Sequence, residues 1–511
     1  MKHLSGLDAT FLHLETPEMP MHVGGLNLFS LPPDYAGDFY EDVKAHIASR
    51  MHLASLFSKK LSLMPFELAN PVWVEDDEVD LDYHIRRIVL PKPGSQAQLE
   101  TYVGRLHSSL LDRSRPLWEF YVFEGLKSGE FGFYSKIHHA ALDGQAGIAL
   151  ANAMLDLTEI PRTVPPPRAR TKAPYQPAVG EMVGAAFRNT LAQYWKLIKS
   201  LPQAAKTVGR LAMPAKDEDG KRRFGKSKNF TMGPRTPLNV SITNQRVFAT
   251  VAVPLKEAKR VADAFSGTLN DAVMAICSGA LRSYLELHEA LPKKPLVAAV
   301  PVSLRPEGDT TANNQVSMML VGLATNKADA AGRMREIVKA SNAMKATLSN
   351  VKSVLPTDFP SLGAPWLMSG LAGLYGRSKL ADKIPPIANV VISNVPGPRV
   401  PLYMAGGRMT SYTPVSIVTH GLALNITLHS YNGMLYFGLI ACRRACPDVR
   451  ELAKMMSLAH ADLLAALPKE TPAAKAVPVA KKAAVKKAVA KKTVAKKTVA
   501  KKVVAKKRTV A

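Results

Sequence analysis

The chain has 511 residues, 47% apolar and 21% charged, the balance of a globular protein with a large core and room for two or three domains. Three cysteines, Cys277, Cys442 and Cys446, are too few and too odd in number for a disulfide framework, and no ligand cluster accompanies the last two. The net charge of +26 is uneven, because residues 469–511 hold fifteen Lys/Arg against Glu470, leaving +12 for the rest.

The first residues carry Asp8 and Glu15 and do not read as a secretory signal. No run of 18 apolar residues exists. Gly421 to Cys442 comes nearest and is broken by Asn425, Thr427, His429, Ser430 and Asn432. A cytoplasmic protein is expected, with membrane contact only peripheral.

Leu4 to Leu12 can begin with a short capped turn, and the end of Pro20 to Phe29 reads as a strand, with Gly24-Gly25 permitting close backbone approach. Helices are predicted over 38–51 and 96–111, with strand material between them. Pro116 and Trp118 follow, and a tryptophan at a strand start is usually core. Phe131 to Ile137 reads as a strand and Gln145 to Glu159 as a helix. Between them stands Ile137-His138-His139-Ala140-Ala141-Leu142-Asp143-Gly144. Taken singly, each histidine is an ordinary strand-end residue and Asp143 a helix cap. Two adjacent histidines with Asp143 and Gly144 at a strand-to-helix junction point instead to proton transfer, since an imidazole titrates near neutral pH.

Pro161 to Pro177 is the clearest linker. Val183, Phe187, Leu191, Tyr194, Ile198 and Leu201 then fall at helical spacing, a stripe suited to docking on the body or to a lipid surface, and 216–228 is a charged loop. Further on, a strand is predicted over 246–253 and helices over 255–265 and 271–288. Asn270 and Asp271 stand where an N-cap and a favourable first-turn charge belong. Strands at 296–302, 389–393, 422–429 and 434–440 and helices at 329–349, 360–380 and 449–467 complete the body. Beyond it, Lys pairs recur every five residues from Lys481, so no apolar face forms and like charges repel. Residues 468–511 are therefore expected to be a disordered polycation, suited to anionic lipid, nucleic acid or polyphosphate.

His138-His139-x-x-x-Asp143-Gly144 resembles the active-site signature of acyltransferases that share the chloramphenicol acetyltransferase fold. Pro20 to Phe29, Pro116-Leu117-Trp118, Asn270-Asp271 and Ser393-Asn394-Val395-Pro396-Gly397-Pro398 resemble motifs of one branch, the bacterial wax ester synthase/diacylglycerol acyltransferases. Segments at Ser303 and Asn313 look similar to later motifs. The resemblance covers nearly all of residues 1–467. It implies an α/β fold of mixed sheets in two subdomains, 1–160 and 234–467, joined by 161–233, with the active site at their interface.

It also implies transfer of a fatty acyl group from acyl-CoA to diacylglycerol or a long-chain alcohol, with acyl-CoA a substrate and neither a cofactor nor a metal required. No Gly-x-Ser-x-Gly elbow is present, and a thioester is reactive enough for direct attack. On this reading His139 is the general base and His138 orients it or contacts substrate. Asp143 fixes the loop, Gly144, Pro116, Trp118 and Asp271 support the site, Asn270 and Asn394 are oxyanion or substrate contacts, and Arg305 is a salt-bridge partner. The alternatives are a condensation-type enzyme with an amine acceptor, or a protein that binds a polyanion or a lipid inclusion through its tail.

Overall fold

The computed structural model describes residues 2–4, 6–62, 70–142, 144–167, 232–303, 316–351, 370, 373–376 and 378–467. The expectations for Asp143, Arg305, Asn313, the helical stripe 183–201, the loop 216–228, most of the helix 360–380 and the tail 468–511 lie outside these residues. Residues up to Leu467 form one compact unit.

The first half supplies β1 (Lys2–His3), β2 (His22–Ser30), β3 (Lys59–Ser62), β4 (Val72–Glu75), β5 (Ile85–Val89), β6 (Trp118–Glu124) and β7 (Phe131–His138). The second supplies β8 (Arg246–Pro254), β9 (Val297–Ser303), β10 (Val316–Gly322), β11 (Val390–Val395), β12 (Tyr403–Met404), β13 (Gly407–Val415), β14 (Leu424–Tyr431) and β15 (Met434–Cys442). Among the described residues these build two six-stranded sheets, β12-β13-β2-β7-β6-β5 and β10-β9-β11-β14-β15-β8, and a small sheet β1-β4-β3. Both large sheets mix parallel and antiparallel pairs, as expected for this fold class.

Alternation along the strands decides which side each residue faces. Trp118, Phe120 and Val122 of β6 and Phe133 and Ile137 of β7 enter one core with Phe57 and Ile47. Tyr121, Phe123 and Tyr134 enter another, shared with Phe248, Val415 and Ile440 of the second half. Tyr134, and by alternation Lys136 and His138, thus face a side of β7 on which the halves meet, while Met404, Met409 and Tyr431 of the second half pack on the other side. Behind the second sheet, the helix Leu269–Leu287 is buried along most of its length against Val449–Ala465. Its apolar spacing and that of the helix 449–467 were legible from sequence.

Three departures from the predicted elements matter for the site. Residues 6–14 form a full helix rather than a short turn, because Ala9 and Leu12 pack on Leu61, Leu111, Leu117 and Ala140. The helix predicted to reach Glu159 stops at Met154. There the chain is captured by a two-way backbone bridge between Asp156 and Tyr403 (2.8 and 2.9 Å), while the Asp156 carboxylate meets Arg50 at 2.9 Å. Third, β13 was not expected as a strand, and it leaves the second half to pair with β2 of the first. On its other edge β2 pairs with β7 as far back as His22, whose partner there is His138. Gly24 makes the packing possible, since a Cβ there would sit 1.9 Å from the Ser135 carbonyl oxygen. At Gly438 the two sheets come equally close, a Cβ lying 1.8 Å from the Pro414 carbonyl oxygen.

Candidate active site

His138 is the last residue of β7 and is fully buried. The Ala140 N–H donates to its Nδ1 at 3.1 Å, which leaves Nε2 as the protonated nitrogen. Nε2 lies 3.3 Å from Oε1 of Glu15. Glu15 also accepts from the Met21 N–H (2.9 Å) and from the Arg113 guanidinium (2.9 Å), which donates as well to the Leu12 carbonyl. Burial pushes the Glu15 carboxyl up, but His138, the Met21 N–H and Arg113 outweigh it and hold the group at about 2. His138 is thus tied to a carboxylate that stays charged.

His139 opens a short 3-10 turn, His139–Ala141, held by its N–H to the Met21 carbonyl at 2.9 Å. Its half-buried ring stacks on Phe11 with centroids 3.9 Å apart and planes 18° apart. Nδ1 is enclosed and makes no full hydrogen bond. Burial lowers its pKa, contact with its own carbonyl opposes this, and the neighbouring His138 lowers it further, to about 4. With Nδ1 enclosed, Nε2 is the ring nitrogen left to meet a substrate. The imidazole is neutral at physiological pH.

Behind the pair runs a file of buried polar groups. His22 donates from Nε2 to the His107 carbonyl (2.8 Å), and the two rings meet edge to face. His107 donates from Nε2 to the Ser416 carbonyl (2.8 Å) and accepts at Nδ1 from the Tyr134 hydroxyl (2.7 Å). Burial lowers both histidines, His107 to about 3. Lys136, also fully buried, is paired with Glu119 at 3.1 Å, and Tyr121 donates to the same carboxylate oxygen at 2.6 Å. Ser416 follows β13, so the file joins both halves at the end of the sheet that carries His138.

Pro116 and Trp118 are buried beneath the pair. The indole N–H donates to the Phe57 carbonyl (3.2 Å) and the ring stacks on His84, while the Leu117 carbonyl accepts the His138 N–H (3.0 Å). Trp118 is scaffold, as a strand-start tryptophan should be. Gly144 begins the helix Gly144–Met154 directly after the turn.

Asn270, Asp271 and Asn394 form a second cluster on the other large sheet. Asp271 is buried and accepts from the Thr268 N–H (2.7 Å) and hydroxyl (2.8 Å), a capping box at the start of Leu269–Leu287. Asn394 Nδ2 donates to Asn270 Oδ1 at 2.6 Å, which leaves the exposed Asn270 its own Nδ2 to offer elsewhere. The structure brings these two asparagines together. Among the described residues no hydrogen bond links them to the histidines. A pocket of about 530 Å³ lies elsewhere, lined by His46, Arg50 and Arg162 among others and by none of the histidine-site residues.

Sequence reasoning missed Glu15, Arg113, His107 and the stacking of Phe11 on His139. The one signal for Glu15 was an acid ending an apolar stretch, Phe11-Leu12-His13-Leu14-Glu15, where burial would demand a partner.

The sequence model of the wax ester synthase/diacylglycerol acyltransferase catalytic domain matches residues 4–273, and that of the WS/DGAT C-terminal domain matches residues 312–463. A putative diacylglycerol O-acyltransferase of Mycobacterium tuberculosis is 40% identical over 450 residues, covering 88% of this chain and 96% of the relative. The O-acyltransferase WSD of Acinetobacter baylyi is 37% identical over 460 residues, covering 88% and 94%. The solved wax ester synthase/diacylglycerol acyltransferase from Marinobacter aquaeolei VT8 superposes with a TM-score of 0.64 at 34% identity, over 90% of this chain and 98% of that one. The signature residues, the mixed-sheet fold and these matches agree: the chain is an acyltransferase and belongs to the wax ester synthase/diacylglycerol acyltransferase family.

Proposed function

We propose that the enzyme moves a fatty acyl group from acyl-CoA to diacylglycerol or a long-chain alcohol, giving triacylglycerol or wax ester. The observation that carries this reading is the neutral His139, half-buried against Phe11 beside a histidine anchored by Glu15. His139 Nε2 takes the proton of the acceptor hydroxyl as its oxygen attacks the thioester carbonyl. The tetrahedral intermediate then collapses with cleavage of the C–S bond, and the departing thiolate receives that proton from His139. No covalent acyl-enzyme is needed. His138, enclosed and tied to Glu15, orients its neighbour rather than touching substrate. Asn270, positioned by Asn394, offers Nδ2 to the developing oxyanion. Asp143 and Arg305 keep the loop-fixing and pairing roles that the family resemblance implies.

The same reading keeps two acyltransferase subdomains, 1–160 and 234–467, a connecting segment 161–233, and a polycationic tail 468–511 that holds the enzyme at an anionic membrane or lipid-inclusion surface on the cytoplasmic side. Among the described residues no helix is long and apolar enough to cross a membrane. The names of the matched family and of the solved Marinobacter enzyme support both acceptors without ranking them. Purified enzyme assayed with several acyl-CoA lengths against hexadecanol, diacylglycerol and a long-chain amine tests the proposal. Ester products and release of free CoA are expected. Amide without ester would overturn it and favour a condensation-type enzyme.

A further inference from the structure

The exposed large apolar side chains of this enzyme are mostly scattered singly, as on most soluble surfaces. One group is not. Leu374, Leu380, Ile384 and Ile387 lie within fourteen residues of one another, and Met232 joins them from the start of the second half; each is between 38% and 57% exposed. The group is one surface because its backbone is laced together. The Gly233 N–H donates to the Ile387 carbonyl (3.4 Å), and Arg235 donates to the carbonyls of Asp382 and Ile384 (2.9 Å to the latter). Turns at Leu374, Lys379 and Leu380 close the rest.

The charges on this surface share one sign. Lys379, Lys383 and Arg235 are exposed, whereas the carboxylate of Asp382 turns inward to accept the Ser241 N–H. Among the described residues no ion pair neutralises these three cations. Tyr375 stands among them with its ring against His420. Apolar side chains ringed by unneutralised cations and a tyrosine match the boundary of an anionic bilayer, where acyl chains meet negative headgroups. A protein partner of ordinary composition would leave the cations unmatched. The surface is also anchored to the site: Asp382 holds Ser241, Tyr375 meets His420, and the same 416–420 segment presents the Ser416 carbonyl to His107.

We infer that residues 374–376 and 378–387, with Met232 and Arg235, are the face on which the enzyme seats itself on an anionic phospholipid surface. This rests on the reading that its substrates are lipids, and it assigns to the folded body a contact separate from the tail. Because the tail alone can hold the protein near vesicles, the test reads insertion rather than attachment. Full-length Ile384→Trp and Leu458→Trp variants are mixed with phosphatidylglycerol-containing vesicles carrying brominated acyl chains, and the parental emission is subtracted. The indole introduced at 384 should be quenched and the one at 458, on the helix Val449–Ala465, should not. Equal quenching, quenching at 458 alone, or none at either position would overturn the assignment.

A second measurement separates this face from the tail. At about 0.5 M salt, where charges are screened beyond about 4 Å, Ile384→Asp with Ile387→Asp should lower vesicle affinity about tenfold. Turnover of a dispersed short-chain acyl-CoA and alcohol should stay at the parental rate. An unchanged affinity would overturn the face, whereas a parent that forms no ester would overturn the substrate reading itself.

Discussion

The two large sheets each end in a polar cluster, and the clusters are built in opposite ways. At the end of β7 the groups are buried and ionisable: His138 on Glu15, His139 on Phe11, and His22, His107 and Lys136 behind them. At the start of Leu269–Leu287 the neighbouring side chains are neutral amides, Asn270 exposed and Asn394 half-buried, and the buried carboxyl group of Asp271 caps the helix. Burial is what moves titration, so only the first cluster can tune a proton acceptor; the second can supply fixed dipoles without the cost of burying a net charge. The contrast supports the proposed division of labour between proton transfer and charge stabilisation.

Substitutions can break the contrast at either end. The largest effect is expected for His139→Ala, about 10²- to 10⁴-fold in kcat with an unchanged circular dichroism spectrum, because the proton acceptor is gone while the turn is held by backbone bonds. Next, Asn270→Ala should lower kcat by about 10²-fold or more and leave KM nearly unchanged. A shift in KM alone would make Asn270 a substrate contact instead. Glu15→Gln should cost roughly 10- to 100-fold in activity, the range for outer groups that orient an imidazole, and should also change acid stability. A carboxyl held at about 2 instead of 4.5 contributes stability that is complete above 4.5 and fades as pH falls through 2, about 3 kcal/mol in all. Urea unfolding across that window should show the loss in the parent and not in the variant. Smallest for chemistry is Gly24→Ala, whose new Cβ meets the Ser135 carbonyl oxygen at 1.9 Å. It should destabilise by about 1–3 kcal/mol and alter activity only through folding.

What the sequence disclosed, and what it hid, divides by range. The helices Leu269–Leu287 and Val449–Ala465 and the strand Phe131–His138 have their periodicity written in contiguous residues, and they lie close to where that periodicity placed them. β13 carries Arg408, Thr410, Ser411, Thr413 and Pro414, and no strand was predicted there. It is a strand because β2, far away in the chain, offers its edge, and a bulge between Met409 and Ser411 absorbs the misfit. The site shows the same split. The double histidine, Pro116, Trp118 and the Asn270-Asp271 pair were visible as motifs, and Trp118 could be recognised as core from its type alone. Glu15 could not be connected to His138 by any local rule, since the helix Gly6–Leu14 that it follows only reaches the strand end after folding. The tautomer of His138 was hidden for the same reason.

The central claim is that His139, kept neutral by burial, is the proton acceptor while His138 only holds it in place. The pH dependence of kcat/KM, measured with a soluble short-chain acyl-CoA and alcohol, tests this most directly. Activity should stay level from neutral pH down through 6.5, the ordinary imidazole value, and be half lost near 4, where His139 takes up its proton. Half-loss near 6.5 would contradict the account, because the acting base would then be an imidazole that burial has not shifted.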